Sequence, residues 1–239
     1  VITVDLKRLQ IRPGAKVLDL GCGTGRHTCA VARLKQVIAI GLDIGLADAS
    51  EAKKRLLYEQ DLGKQGGGVW GILVADVTAL PFKDNAFDCV ICSEVLEHVP
   101  RQDAAVHEAT RVVKQGKDLV ISVPRYLPER ICWALSADYH KANNGHIRIY
   151  KKKELIELLE TAGLKKWALH SAHSFHTPYW WLKCLVGPER TDSRLVNLYH
   201  RFLVWCIMKR NGITHLLEHL LNPLLGKSLV LYLRKEKHA

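Results

Sequence analysis

No run of 18 uninterrupted apolar residues occurs in this chain, so no segment is expected to span a membrane. The opening Val1-Ile2-Thr3-Val4 is too short for a secretory leader. A second Cys or His pair at finger spacing is missing beside Cys89-x-x-Cys92, and residues three apart in a strand face opposite sides. No metal is therefore expected. Seven cysteines, an odd number scattered through apolar segments, read as reduced core fillers in a cytoplasmic protein. Acidic residues are scarce in one half only. Residues 1–124 carry 16 Lys/Arg and 15 Asp/Glu, whereas residues 125–239 carry 19 and 9. A basic half attracts polyanions such as nucleic acid or anionic lipid headgroups, with an ordinary solvated face as the plain alternative. At 239 residues, 48% of them hydrophobic, the chain can bury one large core, and a single domain over 1–239 is expected.

The most informative segment is Val17-Leu18-Asp19-Leu20-Gly21-Cys22-Gly23-Thr24-Gly25, which reads as a buried strand, a glycine-rich turn and a helix start. The glycines let the backbone turn sharply and leave room for a ligand. The free N–H groups of the following helix open towards that ligand. Asp43 ends the next apolar strand, about 20 residues after the turn, where doubly wound folds hold a ribose hydroxyl pair. An adenosine-type cofactor is expected. Dinucleotide binders prefer G-x-G-x-x-G/A, but here the glycines run G-x-G-x-G and Arg26 stands where the last small residue would be. Asp19, two positions before the first glycine, suits a cationic ligand better than a diphosphate.

This stretch resembles motif I of the class I S-adenosylmethionine-dependent methyltransferases. The run from Val69 through Ala75-Asp76-Val77, Leu80-Pro81-Phe82 and Asn85-Ala86-Phe87-Asp88 to Ser93-Glu94-Val95-Leu96-Glu97-His98-Val99 is similar to the ubiquinone/menaquinone-biosynthesis-type (type 11) branch. The resemblance implies S-adenosylmethionine as cofactor. It implies that Asp76 accepts from the adenine amino group, that Val77 offers its N–H, and that residues 93–98 line the methionine end. The cofactor residues so implied are Asp19, Gly21, Cys22, Gly23, Thr24, Gly25, Asp43, Ile44, Asp76, Val77, Ser93, Glu94, Val95 and His98.

The alternating βα pattern predicts a doubly wound α/β sheet with helices on both faces. Strands are expected near 16–20, 37–42, 69–74, 87–92, 117–123 and 165–173, with a last one over Ser228–Leu233. Helices are expected at 25–34, 46–60, 103–113 (stopped by Gln115-Gly116) and 151–162. The resemblance implies the order 3-2-1-4-5-7-6 with the last strand antiparallel. Two segments exceed that frame, 125–150 and 174–228. Both must emerge at the cofactor edge and are placed to form a lid or an acceptor pocket. Tyr139, His140, Arg148, Tyr150, Tyr179, Trp180 and Trp181 are the substrate-side candidates. Gly145-His146-Ile147-Arg148-Ile149-Tyr150 resembles the G-H-x-R-x-Y/F segment of the branch, and Arg148 could equally bond loop carbonyls. The helix expected at 193–210 mixes Trp205, Phe202 and Leu203 with Arg194 and Arg201. Such a helix either buries against the sheet or rests on an anionic membrane at the inner face. The triple Lys151-Lys152-Lys153 opposes the dipole of the helix it starts and has no structural reason in the sequence.

Methyl transfer from a sulfonium needs alignment and at most one general base. Histidine suits that role, and His98 and His146 are chosen over His140, His173 and His176. The expected activity is O- or C-methylation of a small or lipid-like acceptor such as a quinone, isoprenoid or glycolipid. RNA methylation is the runner-up on charge alone. The Asn/Asp-Pro-Pro-Tyr tetrapeptide of base-amino methylation is absent, since Ser93-Glu94-Val95-Leu96 stands there. A non-catalytic cofactor-binding or lipid-docking protein and a nicotinamide oxidoreductase are the remaining readings.

Overall fold

The computed structural model describes residues 2–139, 145–209 and 212–236. Its strands are β1 (Lys16–Leu20), β2 (Ile38–Asp43), β3 (Trp70–Val74), β4 (Phe87–Ser93), β5 (Val113–Pro124), β6 (Leu164–Ala172) and β7 (Ser228–Lys235). They form one seven-stranded sheet in the order β3-β2-β1-β4-β5-β7-β6. β1 to β5 run parallel, and β7 is antiparallel to both β5 and β6. The strand order reverses between β1 and β4, which is where such sheets open a crevice at their carboxyl ends.

Alternation along the strands feeds two cores. Leu18, Leu20, Val90, Cys92, Leu119 and Ile121 join one core with helix α3 (Gln102–Val112) and helix α5 (Lys152–Thr161). Val17, Cys89, Ile91 and Val120 join the other, with Cys29 and Val31 of α1 (Arg26–Ala32) and Leu56 of α2 (Leu46–Asp61). Cys89 and Cys92 thus lie on opposite faces, and strands buried on both sides read as near-continuous apolar runs.

α3 ends at Val112, and β5 begins at the very next residue. Gln115-Gly116 is therefore not a helix stop. Gly116 (φ 70°) lies in a bulge, where the β4 partners move from Val113 at Phe87 to Asp118 at Cys89. The lysine triple at the start of α5 has a local account: Lys151 pairs with Glu154 at 3.2 Å and Lys153 with Glu157 at 3.6 Å.

The two extra segments fold over the carboxyl edge. The first supplies α4 (Tyr126–Leu135); the second supplies α6 (His176–Val186), α7 (Arg194–Lys209) and α8 (Gly212–Leu225). Cys132, Tyr139 and Cys184 form a small core of their own, with Trp133, Trp180 and Trp181 packed against it. The Trp181 indole N–H donates to the Pro128 carbonyl at 3.1 Å, which ties α6 to α4. Burial of the 193–210 helix against the sheet does not occur as a whole. Only Val196 and Leu203 of α7 are buried and none of α8, while Leu195, Leu198, Trp205, Met208, Leu216 and Leu220 stay exposed.

Candidate active site at the carboxyl edge

The turn after β1 is locked from beneath by a carboxylate. Asp43 accepts from the Gly23 N–H at 2.8 Å on one oxygen and from the Gly45 N–H at 2.9 Å on the other. Gly21 adopts φ 61°, and a Cβ there would lie 2.4 Å from Val95. Gly23 (φ 49°) would meet nothing within 4 Å among the described residues, so it faces open space. Cys22 is buried, and its N–H continues the pairing towards β2 by donating to Leu42 at 2.9 Å. Gly25 caps α1, and Thr24 is exposed at the rim. Ile44, 70% exposed, flanks the same cleft. Asp76 sits exposed after β3, with one oxygen accepting both the N–H and the hydroxyl of Thr78 at 2.8 Å. Those bonds hold its carboxyl below the usual range. Val77 beside it is buried.

Asp19 departs from the expectation. It is 2% exposed and accepts from the Thr28 hydroxyl at 2.6 Å, so it braces α1 from behind the turn. Burial pushes its carboxyl up to about 6 despite that bond.

Beyond β4 lies a cluster that the sequence had shown only in pieces. Glu94 takes φ 58°, an uncommon conformation for a residue with a side chain. Its carboxylate accepts from Ser122 at 2.9 Å, and Ser122 bonds Ser93 at 2.8 Å. Glu97 is fully buried, and neither carboxyl oxygen has a hydrogen-bond partner among the described residues. Burial and then the nearby Glu94 raise its carboxyl well above the ordinary range. His98 and His146 stack edge to face with ring centroids 4.7 Å apart. His146 Nδ1 bonds Glu129 of α4 at 2.7 Å, and the Lys227 ammonium pairs with the other Glu129 oxygen. Lys227 also donates to the Tyr139 hydroxyl at 3.2 Å. Burial raises the Glu129 carboxyl, but His146 and Lys227 outweigh it and bring it down to about 2.

The substrate-side candidates divide. Tyr139, fully buried, and Trp180 border the cluster, their rings 5.8 Å apart, with Lys227 over both. Trp181 braces α6 on α4, and Tyr179 turns away to pack on Tyr199 of α7. Arg148 and Tyr150 are both engaged with residues 96–102. The Arg148 guanidinium donates to the carbonyls of Leu96, Val99 and Pro100, and the Tyr150 hydroxyl bonds Leu96 and Gln102. Both support the 96–102 loop, which is the carbonyl-bonding alternative for Arg148. His140 lies outside the described residues. Glu129 and Lys227 were missed. Glu129 sits beside Arg130 in an otherwise apolar helix, and Lys227 is one of many basic residues in the second half of the chain.

A profile described as a methyltransferase domain matches residues 4–169, and the chain belongs to that family. A ubiquinone/menaquinone biosynthesis C-methyltransferase, UbiE, of Pasteurella multocida is 38% identical over 113 residues, covering 46% of this chain and 40% of the relative. The 27-O-demethylrifamycin SV methyltransferase of Amycolatopsis mediterranei is 26% identical over 175 residues, covering 72% of this chain and 62% of the relative. The matches thus span between two fifths and two thirds of these relatives. Among solved structures, the [4+2]-cyclase SpnF superposes with a TM-score of 0.65 at 20% identity, covering 98% of this chain and 79% of that one. YcgJ from Bacillus subtilis superposes at 0.61 and 17%, covering 98% and 97%. These two likenesses show the fold, and SpnF shows that the fold does not dictate one chemistry.

Proposed function

We propose that this chain binds S-adenosylmethionine over the Gly21–Gly25 turn and methylates an oxygen or carbon of a small, lipid-like acceptor. The observation that carries the reading is the buried His146–Glu129 pair at 2.7 Å, set beside the 93–98 segment that borders the turn. The cradle suits the cofactor: open space above Gly23, a carboxylate at the end of β2, the apolar Ile44 and Val77, and exposed Asp76. When bound, S-adenosylmethionine supplies an electrophilic methyl group, and its leaving group needs no proton.

The chain's own residues then have one proton to handle. With Nδ1 bonded to Glu129, the His146 ring is oriented and Nε2 is the atom left to take the proton in this reading. Lys227 pairs with Glu129 and the Tyr139 hydroxyl donates to it at 3.4 Å, so the base is positioned by a chain of buried contacts. Trp180 and the α4–α6 core exclude water from above. His146→Ala should leave cofactor affinity intact and lower turnover; a variant that loses only cofactor affinity would assign His146 elsewhere.

The acceptor class follows from α7 and α8, whose apolar faces are exposed beside the basic Arg194, Arg201 and Lys209. We read them as a seat on an anionic lipid surface, from which a lipid-like acceptor enters the site. Among the described residues no helix is long and apolar enough to cross a membrane. The test is transfer of labelled methyl from S-adenosylmethionine to a whole-cell extract, followed by partition between organic solvent and water. Label in the organic phase supports the reading. Label confined to a nuclease-sensitive aqueous fraction replaces it with RNA methylation, and cofactor binding without any transfer replaces it with a non-catalytic role.

A further inference from the structure

A second group of ligand-type side chains lies away from the His146–Glu129 pair, at the junction of β6 and α6. His173 and His176 sit three residues apart there, and Glu218 approaches from α8. One ligand atom from each lies within 4.8 Å of the others. All three line a cavity of about 950 Å³ beneath the second insertion. We propose that His173, His176 and Glu218 bind a single divalent transition-metal cation. The proposal is independent of methyl transfer and does not use its residues.

Three features of the local structure support the site. His173 is held at φ 67°, a conformation that side chains other than glycine adopt at a cost. Its Nε2 bonds the Thr3 hydroxyl at 3.1 Å, an outer contact of the kind that orients a ligating imidazole. His176 has a buried Nδ1 with no hydrogen-bond partner, and Glu218 is half-buried with no ion-pair partner among the described residues. Ser174 staples the two elements in register: its N–H donates to the Asn222 side chain at 3.0 Å and its hydroxyl to the Glu218 carbonyl at 3.1 Å. The carboxylate is thereby held opposite the two imidazoles.

The chemistry selects the metal class. Imidazole ligates a metal as the neutral ring, so His173 and His176 each offer one nitrogen lone pair and Glu218 one carboxylate oxygen. Arg26 lines the same cavity and opposes any cation held by charge alone. Two neutral nitrogens and one carboxylate therefore favour Zn²⁺ or a neighbouring transition ion over Mg²⁺ or Ca²⁺. Three protein ligands leave open positions towards the cavity. Such an ion would also pin α8 to the end of β6. Spacing could not reveal the set, because Glu218 lies 42 residues beyond His176 in the chain.

The test is titration of the metal-stripped full chain with Zn²⁺, followed calorimetrically, with Co²⁺ as a spectroscopic probe. One equivalent should bind, Mg²⁺ should not compete, and the Co²⁺ spectrum should lack a thiolate charge-transfer band. His176→Ala and the isosteric Glu218→Gln should each weaken binding at least tenfold. His146→Ala, which removes one member of the buried His146–Glu129 pair, should leave the isotherm unchanged. The proposal is overturned if no binding occurs or if a thiolate band appears. Binding that survives Glu218→Gln in a folded variant, or that is lost in His146→Ala, overturns it equally.

Discussion

The sheet and its insertions solve the burial problem in opposite ways. In the sheet layers, apolar residues recur at the period of their element and end up covered: Ala105, Val106, Ala109 and Val112 of α3 all reach the core. In α7 and α8 the apolar content is as high, yet Leu198, Trp205, Met208, Leu217 and Leu224 remain in contact with solvent. Exposed apolar side chains in such number are the basis of the proposed docking on a lipid surface. The charge follows the same division, near balance in residues 1–124 and strongly basic beyond. The first half carries the glycine turn and its carboxylates in a covered frame, whereas the second leaves apolar and basic side chains exposed together.

The largest effect that separates the halves is expected from Gly23→Val. A branched side chain at φ 49° is strained by roughly 1–2 kcal/mol and fills the open space above the turn. Cofactor binding should vanish calorimetrically while the circular dichroism spectrum and the vesicle binding of α7 and α8 persist. A variant with undiminished cofactor affinity would remove the turn from the site.

Next comes the seam between the two halves. Glu129→Ala leaves the Lys227 ammonium buried without its carboxylate and His146 without its orienting partner. Removing one member of a buried pair costs about 3–5 kcal/mol, which urea denaturation would read. A loss below about 1 kcal/mol would mean that Lys227 reaches water easily, and the cluster would not be the dry site described above.

Within the sheet, Asp19 gives a smaller effect with a definite sign. Its carboxyl is raised from 3.8 to about 6, so the folded state holds the proton more tightly than the unfolded chain. Its contribution to stability is fully present below about pH 4 and is lost as pH rises through about 6. Asp19→Asn keeps an acceptor for Thr28 and cannot ionise. It should flatten that decline and be more stable at pH 7 by on the order of 2–3 kcal/mol. Parallel stability curves for variant and parent between pH 4 and 7 would show that Asp19 is not desolvated.

What could be read in advance follows the range of the interactions. The glycine turn, the carboxylate ending β2 and both insertions rest on local patterns, and the sheet order came with the family resemblance; that Asp43 bonds the Gly23 N–H was seen only in the fold. Arg148 was ambiguous because a guanidinium suits loop carbonyls and a substrate equally, and only the folded positions of Leu96, Val99 and Pro100 decide between them. Glu129 was invisible because its partners His146 and Lys227 lie 17 and 98 residues away, beyond any spacing rule. The exposure of α7 was hidden for a different reason. Its apolar residues surround the helix, and a pattern without a polar face states that burial is needed but not against what.

The smallest effect tests what the second half meets. Arg201 is exposed on α7, among the apolar side chains that would enter a lipid interface. A basic side chain near an anionic bilayer contributes about 1 kcal/mol, so Arg201→Gln should weaken partition into phosphatidylserine-containing vesicles roughly fivefold. The difference should shrink as salt screens the surface and disappear on uncharged vesicles, because the apolar contribution of Trp205 and Met208 is common to both proteins. Equal partition of variant and parent at low salt would place Arg201 away from the lipid. Absence of binding by the parent chain would leave the apolar face of α7 and α8 to a protein partner, and the acceptor would then have to reach the site through water.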